Sequence, residues 1–330
     1  MSGSRPRLRL HLSPAAARAV RAGHPWVFSD RVQAANRPGE SGEIAALYDP
    51  HDRFCALGLF DPDSPIRVRV LHAGTPTTLD LHWWRARLEA ALALRESLFA
   101  PDTNAWRWIH GENDGWPGLV LDRYAEVAVL KLYTAAWLPH LRDWLVPELT
   151  ARLHPRSLVL RLSRNIGPLA QAAGFTDGCI LQGDSVSQPV VFLEHGLRFE
   201  ADVLRGQKTG FFLDQRDNRA RVAQLARDRD VLNAFSFSGG FSLHAAAGGA
   251  KSVTDLDISA HALASARRNW ELNPQPGGST ATQHHTIQAD AFDWLGASDT
   301  PDFDLIILDP PSLARHRRRR LVARGRTSRH

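Results

Sequence analysis

Between residues 231 and 309, apolar and polar positions come in blocks that predict four βα steps. Val231 to Phe237 is an apolar run, and Ser242 to Gly248 is an Ala-rich stretch read as a short helix. Ser252 to Asp257 reads as a second strand, after which Ser259 caps a helix carrying Leu263, Ala266, Trp270 and Leu272 at helical spacing. His285 to Asp290 reads as a third strand, with a short helix at Phe292 to Leu295. Asp304 to Asp309 reads as a fourth, almost wholly apolar, as in a strand covered on both faces. Parallel sheets of this kind take ligands at the carboxyl ends of their strands. Gly239, Asp257, Asp290 and Asp309 all fall there. A glycine turn after the first strand and an acid about 20 residues on suit a nucleotide-like ligand, because the backbone can approach closely and the acid can accept ribose hydroxyls. Gly239-Gly240 is not GxGxxG, which disfavours a diphosphate-binding dehydrogenase. Taken alone, the turn is equally consistent with a plain structural bend.

Upstream the patterning changes. Residues 5–75 predict a small β domain: strands at Arg7–Leu10, Glu43–Tyr48, Phe54–Phe60 and Ile66–Leu71, and a helix at Pro14–Ala22 with proline in its first turn. His24, Arg31, Arg67 and Arg69 are candidates for RNA phosphate contacts, with solvated strand faces as the plainer reading. Residues 76–188 predict a central α+β domain. Leu81, Trp84, Leu88, Ala91, Leu92 and Leu98 recur at helical spacing and predict one buried face. Strands are predicted at Trp106–His110, Gly118–Asp122, Val127–Leu132 and Ser157–Leu162, a helix at Leu138–Leu153, and a linker at Gly174–Ser187. The loop His110 to Gly118 is dense in titratable groups; a functional loop is one reading, and a turn with local hydrogen bonds is the plainer one. From Pro189 a hairpin is predicted, Val190–Leu193 with Leu197–Val203. The charged segment Gly206 to Arg219 then suits a loop that folds over a ligand, with Asp214 and Arg216 near it; a helix N-terminus with solvated charges fits equally well.

Composition narrows the class. At 330 residues and 43% hydrophobic, the chain can bury two or three cores. Two distant cysteines exclude a disulfide framework and a zinc cluster, so no metal is expected and a reducing, cytoplasmic setting is. No run of 18 apolar residues exists to span a membrane. The Arg-rich N-terminus mimics a transit peptide, but Leu8 to Leu12 alternates like a strand and Pro25 stops any long helix. The net charge of +5 is carried by the tail: without the eight arginines of residues 315–330, 32 basic groups face 35 acidic ones.

Three strings then carry a resemblance: Gly206 to Arg219 (GQKTGFFLDQRDNR), Asn233 to Phe241 (NAFSFSGGF) and Asp309-Pro310-Pro311-Ser312. With the layout above they resemble class I S-adenosylmethionine-dependent methyltransferases and, more narrowly, the bacterial 23S rRNA cytosine-C5 methyltransferases. His110 to Leu119 (HGENDGWPGL) fits that family's central domain, and residues 5–75 resemble its N-terminal PUA RNA-binding domain. The resemblance implies a PUA-like β-barrel at 5–75, a central α+β domain at 76–188, a Rossmann-like methyltransferase domain at 189–313 with four of the family's seven strands, and a basic tail at 314–330.

It also implies roles. Phe235, Ser236, Ser238 and Gly239 would wrap the methionine part of S-adenosylmethionine. Asp257 would take the ribose hydroxyls, and Asp290 the adenine amino group with Phe292 near the ring. Asp214 and Arg216 would lie near the amino and carboxyl ends. Asp309 and Pro310 would face the target base, and Lys208 would join the RNA contacts. Ribosomal RNA is the implied partner, and a homodimer is compatible. Cytosine C5 is a poor nucleophile and needs a cysteine thiolate to add first at C6. The family carries that cysteine beyond the DPP motif, whereas the last cysteine here is Cys179. The expectation is therefore a prematurely ended chain with a disordered tail and an exposed apolar sheet edge. Two other readings stand beside it: an exocyclic-amine methyltransferase, whose DPPS motif needs no cysteine, and a non-catalytic RNA-binding protein.

Overall fold

The computed structural model describes residues 6–186, 189–274, 282–297 and 301–311. Ser312 and the tail 314–330, with the disorder expected for it, lie outside the described residues. The chain divides into two units: Met1–Gly196 with Ala201–Leu213, and Leu197–Glu200 with Asp214–His330.

The first unit opens with β1 (Arg9–Leu12), α1 (Pro14–Arg21), β2 (Trp26–Phe28), β3 (Val32–Ala35), β4 (Ile44–Tyr48), β5 (Phe54–Phe60) and β6 (Ile66–Ala73). Their strands form one sheet in the order β2-β6-β5-β4-β1-β3. Ser13 caps α1 through the Ala16 amide, and Pro14 sits where no N–H is needed. The alternating leucines 8, 10 and 12 face inward with Val20, Val27, Leu47 and Val68.

The same unit continues with α2 (Leu81–Glu96), β7 (Ala105–His110), β8 (Leu119–Tyr124), β9 (Val127–Leu132), α3 (Leu138–His140), α4 (Val146–Leu153), β10 (Ser157–Leu162), α5 (Gly167–Ala172) and β11 (Ile180–Gly183). The sheet order is β11-β10-β9-β8-β7. Only β9 and β10 pair in parallel among these neighbours. Three sequence expectations change here. Residues 174–187 are not all linker, since Ile180–Gly183 pairs with β10 as an edge strand. The helix expected over 138–153 is interrupted by a π turn, Leu141–Leu145; Pro147 has no N–H to continue the α pattern there. Leu81, at the first position of α2, and Leu98, past its end, are exposed, while Trp84, Leu88, Ala91 and Leu92 are buried as the spacing predicts.

The polar loop Gly111 to Asp114 forms a 3-10 turn that folds Trp116 into the core. Trp84 stands 5.0 Å from Trp116, 5.4 Å from Trp137 and 5.2 Å from Trp144, centroid to centroid. The Trp137 indole N–H donates to the Pro117 carbonyl at 2.8 Å. On its outer side the loop gives acceptors to the first sheet and to α2. Glu112 Oε1 accepts from Arg69 at 3.0 Å and from the Trp26 indole at 2.8 Å, and Asp114 accepts from Arg95 at 2.7 Å. Arg69 is therefore withdrawn from the phosphate-contact set: it is buried, and its guanidinium is bound to Glu112.

The hairpin β12 (Val190–Glu194) and β13 (Leu197–Ala201) carries the chain between the units. The second unit then holds α6 (Arg216–Leu225), β14 (Asp230–Ala234), α7 (Gly240–Ala247), β15 (Ser252–Asp257), α8 (Ala260–Glu271), β16 (Gln283–Gln288), α9 (Ala291–Leu295) and β17 (Leu305–Leu308). All four strands run parallel in the order β16-β15-β14-β17. The expectation that the last strand is covered on both faces is corrected. Leu305 and Ile307 pack on the core, but among the described residues β17 is an outer strand, with Ile306 49% and Leu308 60% exposed.

Two stability predictions follow from the first unit. Trp137→Ala removes a fully buried indole from the tryptophan cluster and should lower unfolding free energy by about 3–5 kcal/mol, read from urea denaturation. The second concerns Asp49. Burial alone would raise its carboxyl, but hydrogen bonds from Arg21, Arg53 and the His51 amide outweigh that and hold it well below the usual carboxylate range. A carboxyl depressed on folding adds stability above its unfolded value, near pH 4, and loses it as pH falls. Asp49→Asn should therefore lower the urea midpoint at neutral pH and flatten its decline toward acid.

Candidate functional site

The pattern predicts β14 running on to Phe237, but the strand stops at Ala234. The next residues bend away through left-handed backbone: φ is 60° at Phe235, 50° at Phe237 and 74° at Gly239. Two of these carry side chains, which disfavours the conformation unless neighbours impose it. The neighbours are on hand. Ser236 N–H donates to the Leu256 carbonyl at 3.2 Å, and Phe237 N–H to Asp257 Oδ2 at 2.9 Å. From α8, the Asn269 amide donates to the Ser238 carbonyl at 2.9 Å. Gly239 admits no side chain: a Cβ there would stand 3.0 Å from both Asp255 Oδ2 and Ala266 Cβ. α7 then starts with no side-chain cap on its first amides.

Under this loop lies a buried polar network. Asp255 is 1% exposed. Its Oδ1 accepts from Ser242 at 2.6 Å and from Asn233 at 3.0 Å. Its Oδ2 lies 2.8 Å from His284 Nε2, so that nitrogen carries the proton toward the carboxylate. The His284 ring stacks on Trp270 at 4.3 Å. One carboxylate thus ties the end of β14, the first turn of α7 and strand β16 beneath the glycine turn.

Around the rim, strand register aligns the acids. Ala234 pairs with Leu256 on one side and Leu308 on the other, so Phe235, Asp257 and Asp309 leave one edge of the sheet. Asp257 accepts the Phe237 amide on Oδ2 and the Ser259 amide at 2.8 Å on Oδ1, leaving lone pairs on both oxygens. Asp290 caps α9 through the Phe292 amide at 2.9 Å. The exposed Phe292 ring meets Phe235 edge to face at 5.4 Å. Asp309 and Pro310 follow β17, and Asp309 Oδ2 accepts from Gln215 at 3.2 Å. Gln215 lies between Asp214, which is exposed, and Arg216, whose guanidinium reaches Asp217 at 2.9 Å.

These residues fit the donor that the resemblance implies. The Ser236 and Ser238 hydroxyls are buried and have no hydrogen-bond partner among the described residues, as polar groups awaiting a ligand would be. Asp255, His284 and Asn269 escaped the sequence reading. No residue-type signal marked Asp255, because Ser252-Val253-Thr254-Asp255-Leu256-Asp257 holds a second acid and only two apolar residues.

The phosphate-contact candidates lie in the first unit. His24 is exposed and its Nδ1 is 2.9 Å from the Trp26 carbonyl. Arg31 meets Asp30 at 3.2 Å, and Arg67 donates to the Pro62 carbonyl. Lys208 is exposed, has φ of 53°, and holds its ammonium 4.3 Å over the Phe212 ring. Among the described residues, no group of three His, Cys, Asp or Glu is arranged to hold a metal ion, and no helix is long and apolar enough to cross a membrane.

Comparison with known proteins accords with this geometry. The family of S-adenosylmethionine-dependent methyltransferases matches residues 176–322, and a PUA-like domain matches residues 10–73. A ribosomal RNA large subunit methyltransferase of Deinococcus radiodurans is 58% identical over 322 residues, covering 95% of this chain and 78% of that protein. Ribosomal RNA large subunit methyltransferase I of Alteromonas mediterranea is 37% identical over 309 residues, covering 91% and 74%. A Streptococcus mutans structure described as a SAM-dependent methyltransferase superposes with a TM-score of 0.76 at 20% identity, covering 92% of this chain and 77% of its own. Another solved methyltransferase, complexed with S-adenosylhomocysteine, gives 0.78 at 22% identity, covering 94% and 78%. At that identity the two structures establish the fold: a PUA-like domain followed by a Rossmann-like class I methyltransferase domain. With its glycine turn and its row of strand-end carboxylates, the chain belongs to the S-adenosylmethionine-dependent ribosomal RNA large subunit methyltransferases.

Proposed function

We propose that this protein methylates large-subunit ribosomal RNA at C5 of a cytosine in the 23S molecule. The observation that carries the reading is the single rim on which the glycine turn, Asp257, Asp290 and Asp309 meet. S-adenosylmethionine, when bound, supplies an electrophilic methyl group on sulfur. Asp257 keeps acceptor capacity on both oxygens for two ribose hydroxyls. The Ser236 and Ser238 hydroxyls offer the missing partners for the polar methionine end, with Asp214 and Arg216 serving its amino and carboxyl groups. Phe235 and Phe292 flank the adenine, and Asp290 accepts from its amino group. Asp309, with Pro310, faces the target base. His24, Arg31, Arg67 and Lys208 contact RNA phosphates, the sequence-independent part of affinity. On this reading the protein works in the cytoplasm.

The choice of C5 rests on the GQKTGFFLDQR string. That chemistry needs a thiolate at C6. Cys55 is 1% exposed in the barrel core, where burial raises its thiol, and Cys179 packs against the core of the central domain, so neither is assigned the role. One observation favours a second reading, transfer to an exocyclic amine: Asp309 is an exposed acceptor at a strand end, suited to hold an amino group.

In RNA incubated with methyl-labelled S-adenosylmethionine, 5-methylcytidine found by mass spectrometry of a 23S rRNA digest would support the first reading and show that Cys55 or Cys179 supplies the thiolate after all. A methylated exocyclic amine would replace the first reading with the second, and no incorporation would overturn both. Asp257→Ala should weaken S-adenosylhomocysteine binding by about 100-fold in calorimetry, through loss of two hydrogen bonds to a charged acceptor. Gly239→Ala should weaken it by about tenfold, because φ there is 74° and the new methyl meets Asp255.

A further inference from the structure

Asp255, beneath the turn Phe235 to Gly239, is sealed from solvent, so it acts on a ligand only through the chain around it. Asn233 on β14 stands in register with Asp255 on β15, and their side chains leave the same face of the sheet. The Asn233 Nδ2 has two protons. One goes to Asp255 Oδ1 at 3.0 Å and the other to Ser242 Oγ at 3.0 Å. Ser242, in the first turn of α7, places its own proton on Asp255 Oδ1 at 2.6 Å. Asn233 and Ser242 are as deeply buried as the acid. Asn233 precedes the turn and Ser242 follows it, so one carboxylate clamps the chain on both sides of the bend.

The second carboxylate oxygen lies against the turn itself. A Cβ on Gly239 would meet Asp255 Oδ2 at 3.0 Å, and the same oxygen accepts from His284 Nε2 at 2.8 Å. His284 belongs to β16, whose Thr286 is the register partner of Asp255, so the imidazole reaches the acid diagonally. Trp270 of α8 stacks on that ring at 4.3 Å with 19° between planes. The preceding residue of α8, Asn269, donates to the Ser238 carbonyl at 2.9 Å. Helix α8 thus holds the turn twice, directly through Asn269 and indirectly through Trp270, His284 and Asp255.

We propose that His284 and Asp255 are positioning residues for the methyl donor, fixing the path of Phe235–Gly239 so that the Ser236 and Ser238 hydroxyls meet its methionine end. The inference rests on the reading of that turn as the cradle for the methionine end. Among the described residues three donors reach Asp255: Asn233, Ser242 and His284. A buried carboxylate that loses one of them is left undersolvated and gains by moving toward water or another N–H. His284 serves the oxygen that lies against Gly239, so the turn moves with the acid.

The test uses the full chain and measures binding of S-adenosylhomocysteine and of adenosine, which lacks the methionine end, with thermal melting and hydrogen exchange of the Gly239 amide. His284→Leu should weaken S-adenosylhomocysteine about tenfold, leave adenosine within about twofold of the parent, and speed Gly239 exchange. His284→Gln, which can return an N–H to Asp255, should recover most of the lost affinity. Ser242→Ala, which removes a donor from the other oxygen, should act in the same direction, and it decides the matter if His284→Leu does not fold. A folded His284→Leu or Ser242→Ala protein that binds S-adenosylhomocysteine with parental affinity overturns the inference. So does equal loss of both ligands, which marks a general structural role. The double variant S236A/S238A tests the underlying reading separately: parental S-adenosylhomocysteine affinity there removes the turn from the methionine end, whatever His284 does.

Discussion

Left-handed backbone directly after β14 is the constraint on which the second unit is built. Each side-chain-bearing residue in that conformation costs about 1–2 kcal/mol. Phe235 and Phe237 both adopt it within three residues. Hydrogen bonds worth about 1 kcal/mol each offset the strain: the Leu256 carbonyl, the Asp257 carboxylate and the Asn269 amide take or give one bond apiece. The bend is thus imposed by β15 and α8 rather than by its own residues. Its shape is set by bonds within the protein rather than by contacts to a ligand. Asp257 serves on both sides of this balance, shaping the turn with one lone pair of each oxygen and offering the other.

Buried carboxylates recur wherever distant stretches of chain must be brought into register. Asp255 joins β14, α7 and β16. Glu200 binds Arg268 and Ser265 of α8, seating that helix against residues 197–200, and its hydrogen bonds hold Arg268 above its usual range. Asp122 joins β7 to the segment after β13. Such groups are weak evidence for added stability, since desolvation offsets much of the attraction. Their contribution is discrimination: an apolar contact tolerates a shifted neighbour, whereas a buried charge with named donors does not.

The sequence disclosed the site where chemistry and pattern coincide. An apolar run that ends in an acid is conspicuous, and Asp257, Asp290 and Asp309 were legible for that reason. The turn itself was not, because Phe235 and Phe237 continue the apolar alternation and only their torsions end the strand. Asp255 and Asp257 stand two apart in one strand, and nothing in Thr254-Asp255-Leu256-Asp257 tells which is sealed inside and which meets the rim. Arg69 reads as a solvated cation until Glu112, 43 positions away, is seen beside it. Ile180–Gly183 is too short, and too close to glycine and aspartate, to register as a strand. Pairing with β10 creates it.

The loop Gly111–Asp114 ties the two sheets of the first unit together. Glu112 accepts from Trp26 on β2 and Arg69 on β6, while its own turn is anchored by Trp116 in the central core. His140 adds a second tie, its Nε2 2.8 Å from the Gly42 carbonyl. Burial lowers the His140 pKa, so this contact is made by a neutral ring and does not depend on charge. With Arg69 sealed against Glu112, the remaining phosphate-contact candidates of this sheet, His24, Arg31 and Arg67, stay near the surface. Phosphate contacts alone would hold RNA loosely and without address.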